Sequence, residues 1–329
     1  MTPTRILVTG GAGFIGSHYV RTLLGPDGPG NVSVTVLDAL TYAGNPANLD
    51  EVRDHPGLAF VHGDICDAEL VGRLMAGHDQ VVHFAAESHV DRSIDGGAAF
   101  VRTNVTGTHT LVHAAHEAGV GTFVHVSTDE VYGSVDEGSW TEDEPLAPNS
   151  PYSASKASSD LIALAYHRTH GLDVRVTRCS NNYGHHHFPE KVIPLFVTHL
   201  LEGRPVPLYG DGAHVRDWLH IDDHVQGIEL VRTKGRPGEV YNIGGGTELS
   251  NKELTRLLLE ACDADWDTDV IHVEDRKGHD RRYSVDCTKI REELGYAPRK
   301  DFAAGLAETV RWYRENRSWW EPLKERAAL

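Results

Sequence analysis

Long apolar runs are missing from this chain. No stretch approaches the roughly 18 to 20 residues that a membrane span requires, so no membrane partner is expected. Cysteine is scarce. The four present, Cys66, Cys179, Cys262 and Cys287, form no Cys-x-x-Cys pair. That argues against a structural zinc or a dithiol redox motif, and a disulfide framework is not expected in a chain this long. Positive charge is also short, with 31 Lys plus Arg against 48 Asp plus Glu and a net charge of −17. Such a surface repels phosphate backbones, so nucleic acid is not an expected partner, although a local basic pocket can still hold a small anion. There is no repeat and no low-complexity tract. Before Ile6-Leu7-Val8 there is no charged leader, apolar core or cleavage site. The expectation is a soluble, reduced, cytoplasmic protein.

What is present is the composition of an ordinary globular chain. At 329 residues, with 40% hydrophobic and 24% charged, it suits one large or two tightly joined domains. β-Branched runs recur at Ile6–Val8, Val32–Leu37, Leu58–Val61, Gln80–Phe84, Thr122–Val126 and Val174–Thr177. Between them lie helical patterns at Phe14–Leu24, Ala68–Met75, Ala98–Ala118 and Tyr152–Thr169. Strands alternating with helices predict βαβ units, hence an α/β fold with a doubly wound parallel sheet of the Rossmann type. From about Asn181 the rhythm breaks into short segments and helices, the pattern of a smaller α+β lobe. The expected division is a dinucleotide domain over residues 1–180, joined by about 217–246, and a substrate lobe over most of 181–329.

The first strand runs into Thr9-Gly10-Gly11-Ala12-Gly13-Phe14-Ile15-Gly16 and a helix. Gly10 suits a tight turn, Gly13 lets the backbone approach a pyrophosphate, and Gly16 allows close helix–strand packing. Phe14 and Ile15 lie between those glycines. Asp38 closes the second strand about 20 residues on, where an acidic side chain meets ribose hydroxyls and repels a 2′-phosphate. NAD is therefore expected over NADP, with Leu40 and Thr41 just beyond; the alternative for Asp38 is a loop cap. Asp64, followed by Ile65, is placed to accept from an adenine amino group. Small residues at Ala85, Ala86 and Ser88 leave room for a cofactor.

Tyr152 and Lys156 stand four residues apart on one helical face. A lysine ammonium and a nicotinamide cation would bring a tyrosine hydroxyl, ordinarily titrating near 10, into range as a base. Thr128 ends the fifth strand and can share a hydrogen bond with Tyr152 and a sugar hydroxyl. Next come Asp129 and Glu130. Two crowded carboxylates have pKa values pushed apart, one a neutral acid and the other an ionised base, as water elimination across adjacent carbons needs. The bland alternative is a solvated acidic turn.

These motifs, with Ala85–Ser93, Ser127–Gly133, Ser150–Lys156, Cys179–Gly184, His187–Lys191, Arg216-Asp217-Trp218 and Gly278–Tyr283, resemble the dTDP-glucose 4,6-dehydratase family of short-chain dehydrogenase/reductases along nearly the whole chain. The resemblance implies an NAD-dependent lyase acting on dTDP-glucose, with catalytic residues Thr128, Asp129, Glu130, Tyr152 and Lys156. It implies that Thr103 and Asn182 also line the cofactor, beside Tyr152 and Lys156. It implies that Ser88, His89, Thr128, Asp129, Glu130, Asn181, Lys191, Val192, Pro207, Leu208, Tyr209, Arg216, Asn251, Asp275, Arg276 and His279 hold the nucleotide sugar. A homodimer paired through Ala98–Ala118 and Tyr152–Thr169 is implied as well, and no resident metal. His220 and His224 have metal-pair spacing, but no third ligand is evident and helix capping is the expected role. His185-His186-His187 and Lys277 depart from the family pattern. The alternatives are a nucleotide-sugar 4-epimerase, which needs no acid at C6, and a non-catalytic NAD-sensing regulator.

Overall fold

The computed structural model describes residues 2–327. Seven parallel strands form the central sheet: β1 (Thr4–Thr9), β2 (Val32–Asp38), β3 (Leu58–His62), β4 (Gln80–His83), β5 (Thr122–Thr128), β6 (Val174–Cys179) and β10 (Val240–Ile243). Their order is β10-β6-β5-β4-β1-β2-β3. The order reverses between β1 and β4, and ligands bind outside the strand ends at such a switch point. Along β1 the side chains alternate, Ile6 and Val8 entering one buried cluster and Leu7 the other. A sheet covered on both faces needs this two-sided apolar pattern.

The covering helices are α1 (Phe14–Leu24), α2 (Ala68–Met75), α3 (Val90–Asp95), α4 (Gly97–Phe100), α5 (Thr108–Glu117), α6 (Pro151–His170) and α8 (Ile221–Lys234). α6 has a clear local cause. Ser150 caps Ser153 N, Pro151 starts the first turn, and Gly171 ends it at φ 73°. The helix expected over Ala98–Ala118 is interrupted. Val101–Gly107 is a π-helical turn between α4 and α5. Its Asn104 faces inward, donating from Nδ2 to Glu87 O and Ser155 Oγ and accepting from Glu87 N. A hydrophobic period cannot reveal such a turn.

The remaining strands are β7 (Asn181–Tyr183), β8 (Val206–Tyr209), β9 (Val215–His220), β11 (Glu248–Ser250) and β12 (Val270–Val273). They build a three-stranded sheet, β11-β9-β7, and a two-stranded one, β12-β8. Helices α7 (Val192–Leu201), α9 (Asn251–Ala261), α10 (Trp266–Asp269), α11 (Thr288–Leu294), α12 (Phe302–Glu315) and α13 (Arg317–Ala327) complete the chain. Phe196, Trp218, Leu254, Tyr313 and Trp320 centre a third core there. No helix among the described residues is long and apolar enough to cross a membrane.

Leu7 is fully buried on β1, an interior strand of the sheet. Leu7→Ala should destabilise the chain by about 2–5 kcal/mol through lost burial and a residual cavity, read as a lower urea midpoint.

Candidate active site

The carboxyl ends of β1, β2, β4, β5 and β6 open on one cavity of about 350 Å³. Its walls include Gly10, Gly13, Phe14, Ile15, Gly16, Asp38, Thr41, Asp64, Ile65, Ala85, Ala86, Ser88, Thr103 and Asn182 from the expected cofactor set. Thr128, Asp129, Glu130, Tyr152, Lys156, Asn181, Lys191 and Val192 line the same space.

The cradle at its dinucleotide end is built from backbone. A Cβ at Gly16 would lie 2.3 Å from Gly10 O, and one at Gly10, at φ +70°, would lie 2.6 Å from Ala85 N. A Cβ at Gly13 would meet only Gly10 O, at 3.3 Å. The start of α1 thus keeps a side-chain-free approach for a phosphate. This cradle, with an acidic strand end and small residues at Ala85 and Ala86, fits a dinucleotide. Asp38 also performs the loop-capping alternative: Oδ2 accepts from Ala12 N at 2.9 Å and Oδ1 from Leu40 N at 2.8 Å. Leu40 is not on the cavity wall. It takes φ 50° in the turn and its N–H goes to Asp38. Asp64 is engaged as well, Oδ2 with Arg102 at 2.8 Å and Oδ1 with Cys66 N at 2.8 Å.

At the other end, Thr128 closes β5 and begins a single turn, Asp129–Tyr132. Thr128 Oγ1 accepts from Glu130 N at 3.3 Å. Ser153 Oγ donates to Glu130 Oε2 at 3.4 Å. Asp129 is buried, and its Oδ2 has no hydrogen-bond partner. Burial first, then the negative charges of Glu130 and Asp217, raise its pKa far above the usual carboxylate range. A neutral carboxylic acid therefore sits beside a second carboxyl at the active edge.

Tyr152 and Lys156 share the cavity wall. The Lys156 ammonium donates to Val126 O at 2.9 Å. Burial brings Lys156 down to about 8, while Asp160, one turn further along α6, opposes the fall. Burial comes first in raising the proton affinity of the Tyr152 phenol, Glu130, Cys179 and Asp129 add to it, and the Thr128 hydroxyl opposes it.

The rest of the expected substrate set forms a second cluster outside the cavity wall. His89 is the N-cap of α3, a buried imidazole that burial brings down to about 3. Arg276 lies 3.9 Å from Asp91, and the Tyr209 and His279 rings are 6.2 Å apart. Arg216 stacks over Tyr283 at 4.2 Å and donates to Asp280 O at 2.9 Å, making no salt bridge among the described residues. Pro207 is half-buried on the same strand, but Leu208 is a correction: its side chain points into the core at 1% exposure. Asn251 is the first residue of α9 behind the Ser250 capping box, its N–H on His214 O. Asp275 bonds His279 at 2.6 Å. His220 caps α8 through Nδ1, as expected.

Among the cavity-wall residues to which sequence reasoning assigned no role are His187, Phe188, Glu190 and Ser180. The histidine run was the available signal. His187 stacks on Phe14 at 4.2 Å, while His185 and His186 pack on Trp312, tying the glycine loop to α12.

A family described as GDP-mannose 4,6 dehydratase matches residues 7–309. A dTDP-glucose 4,6-dehydratase of Streptomyces griseus is 69% identical over 326 residues, 99% of each chain. One from Streptomyces antibioticus is 67% identical, over 98% of this chain and 96% of the relative. The crystal structure of a Streptomyces venezuelae dTDP-glucose 4,6-dehydratase with NAD bound superimposes with a TM-score of 0.95 at 66% identity, covering 97% of this chain and all of that one. A Thermotoga maritima UDP-glucose 4-epimerase shares the fold at a TM-score of 0.88 but only 33% identity, over 95% of this chain and all of that one. With that match across most of its length and relatives above 60% identity, the chain belongs to the dTDP-glucose 4,6-dehydratase family.

Proposed function

We propose that this chain is an NAD-dependent lyase that converts dTDP-glucose to dTDP-4-keto-6-deoxyglucose, the reaction for which its closely similar relatives are named. The observation that carries the reading is Asp129, a buried acid with a free oxygen on the cavity wall, directly followed by Glu130. An epimerase inverts one carbon and needs no such pair, and retention of Tyr152 and Lys156 speaks against a silent NAD sensor.

Bound at the glycine loop, NAD would take the C4 hydrogen as hydride and return it to C6. Beside the nicotinamide cation and the Lys156 ammonium, Tyr152 would stand as phenolate and accept the C4 hydroxyl proton, assisted by Thr128. The C4 ketone acidifies C5–H, and Glu130 removes that proton. Asp129 gives its proton to the departing C6 hydroxyl, which leaves as water. Glu130 then returns its proton to C5, and the Tyr152 proton restores Asp129, so the cycle closes without net reduction. Each positioned acid or base is worth about 10²- to 10⁴-fold. Lys191, Arg216 and Arg276 supply the cations a diphosphate requires. The proposed division of labour gives residues 1–180 and about 217–246 to the dinucleotide, and most of the rest to the nucleotide sugar.

The proposal includes a homodimer through α5 and α6. Their outward side carries Leu161 at 58% exposure, with Val101 at 56% on the adjoining π-helical turn. Apolar side chains so exposed on neighbouring helical segments suit a two-fold contact. Leu161→Asp should halve the mass seen by light scattering; an unchanged mass rejects this face.

Wild type supplied with NAD should turn dTDP-glucose into the 4-keto product without net NADH. Asp129→Asn combined with Glu130→Gln should lose product formation by at least about 10²-fold while enzyme-bound NADH appears at 340 nm. Normal turnover by the double variant would remove the assignment.

The neutral acid has a second signature. Folding raises the Asp129 pKa, so the folded chain holds this proton more tightly than the unfolded one. Its contribution to stability is complete below the unfolded pKa of about 4 and is lost as pH rises through the folded value. Asp129→Asn keeps the shape without the ionisation. It should raise the melting temperature more at about pH 8 than at about pH 5, and equal shifts would contradict a neutral acid.

A further inference from the structure

Two rims of the active-site cavity that lie far apart in the chain touch one another. One is the turn after β2, where Thr41, Ala43 and Gly44 line the wall; the other runs from His187 to Lys191 and includes Phe188 and Glu190. Tyr42, between Thr41 and Ala43, reaches across. It meets Phe188 edge to face, with ring centroids 5.6 Å apart and planes at 78°. Arg92 of α3 locks the pair. Its guanidinium stacks over the Tyr42 ring at 4.1 Å, and its Nε donates to Glu190 Oε2 at 3.0 Å. The Glu190 side chain is 1% exposed, so this ion pair is shielded at the carboxylate end. A planar guanidinium stacks by its face while donating from its edge, which an ammonium cannot do.

The C-terminal helix α13 backs this bridge. Phe188, Leu323 and Ala327 form one buried cluster, with Tyr42, Ala43 and Trp319 packed against it. Arg92 Nη2 also donates to Ala327 O at 3.3 Å. The same helix reaches the glycine loop through one intermediary. Trp319 Nε1 donates to Asn48 Oδ1 at 3.0 Å, and the buried Asn48 donates from Nδ2 to Ala12 O at 2.9 Å. One helix thus fastens together the turn after β2, the phosphate cradle and the segment from His187 to Lys191. None of its own described residues lines the cavity.

We propose that Tyr42, Phe188, Arg92 and Glu190, backed by α13, form a clasp across the dinucleotide channel that keeps NAD resident through many turnovers, and that cofactor passes only when α13 loosens. In the reaction proposed above the hydride leaves and returns within one cycle, so exchange of the cofactor serves no purpose. The clasp rests on the reading that the chain binds NAD, and not on which sugar it takes. Tyr42 and Leu323 hold wall to wall without lining the cavity themselves. Loosening them therefore lowers the barrier to entry and exit alike and leaves the affinity near that of the wild type. A residue that grips the cofactor directly has the opposite signature, a faster exit with a weaker affinity.

The full chain loaded with NADH and mixed with excess NAD reports the exit rate as the loss of bound-NADH fluorescence. NADH titration of the cofactor-depleted chain gives the affinity, and the two together give the entry rate. Tyr42→Leu removes both ring contacts and should speed exit about 10-fold, the change expected for losing an aromatic pair together with a cation–π contact. Entry should quicken by a similar factor. Tyr42→Phe keeps both ring contacts and should stay near the wild-type rates. Leu323→Ala, which touches α13 and not the cavity wall, should act in the same direction as Tyr42→Leu. All three variants should keep the wild-type circular dichroism. Unchanged rates in Tyr42→Leu and Leu323→Ala, or a faster exit matched by a weaker affinity, overturn the clasp. Failure of the wild-type chain to bind NADH at all overturns the cofactor reading and the clasp with it, whereas tight binding with unchanged rates in the variants removes the clasp alone.

Discussion

The high proton affinity of Asp129 is the constraint on which the site depends. A carboxyl taken fully out of water beside Glu130 and Asp217 favours its neutral form strongly. That would be a defect in a structural residue. In the proposed reaction this same property keeps a proton beside the leaving group at neutral pH, with the neighbouring carboxyl as the base. The turn after β5 places the two on consecutive residues, so their spacing is fixed covalently and their unequal environments come from burial.

A buried ionic network lies beneath that pair. Asp160 is held ionised by Arg178 at 2.9 Å and by His125 at 3.2 Å, all fully or almost fully buried. Arg178 continues to the Tyr132 hydroxyl at 2.8 Å, which donates to Asn242 at 2.9 Å. Because Asn242 belongs to β10, the late strand of the sheet is tied to the helix that carries Tyr152 and Lys156. Removing one member would strand a buried charge, which is far costlier than the net worth of the pair. The network thus gives rigidity to the catalytic helix and a countercharge to Lys156.

Much of this was legible from residue pattern alone. Two-sided apolar runs gave the parallel sheet, and the glycine loop, Thr128-Asp129-Glu130 and Tyr152/Lys156 all reach one cavity wall. What failed to show is what depends on three dimensions. Leu208 belongs to a strand whose alternate side chains face the core, and strand register, not motif membership, decides which. The π-helical turn around Asn104 adds no change to hydrophobic spacing. The direction of the Lys156 ammonium follows from the nearest buried carbonyl, Val126 O, which no spacing rule contains. The stacking of His185–His187 on Phe14 and Trp312 joins elements far apart in the chain, so a histidine run read as a departure could not be given a place.

The return of the chain as β10 has an engineering consequence. β10 covers β6 only after β7, α7, β8, β9 and α8 have been laid down outside or across the sheet. A gene cut near residue 180 would leave β6 as a bare edge with unpaired backbone groups, an invitation to intermolecular pairing. Neither side of such a cut is a self-contained sheet, because β6 and β10 pair across it.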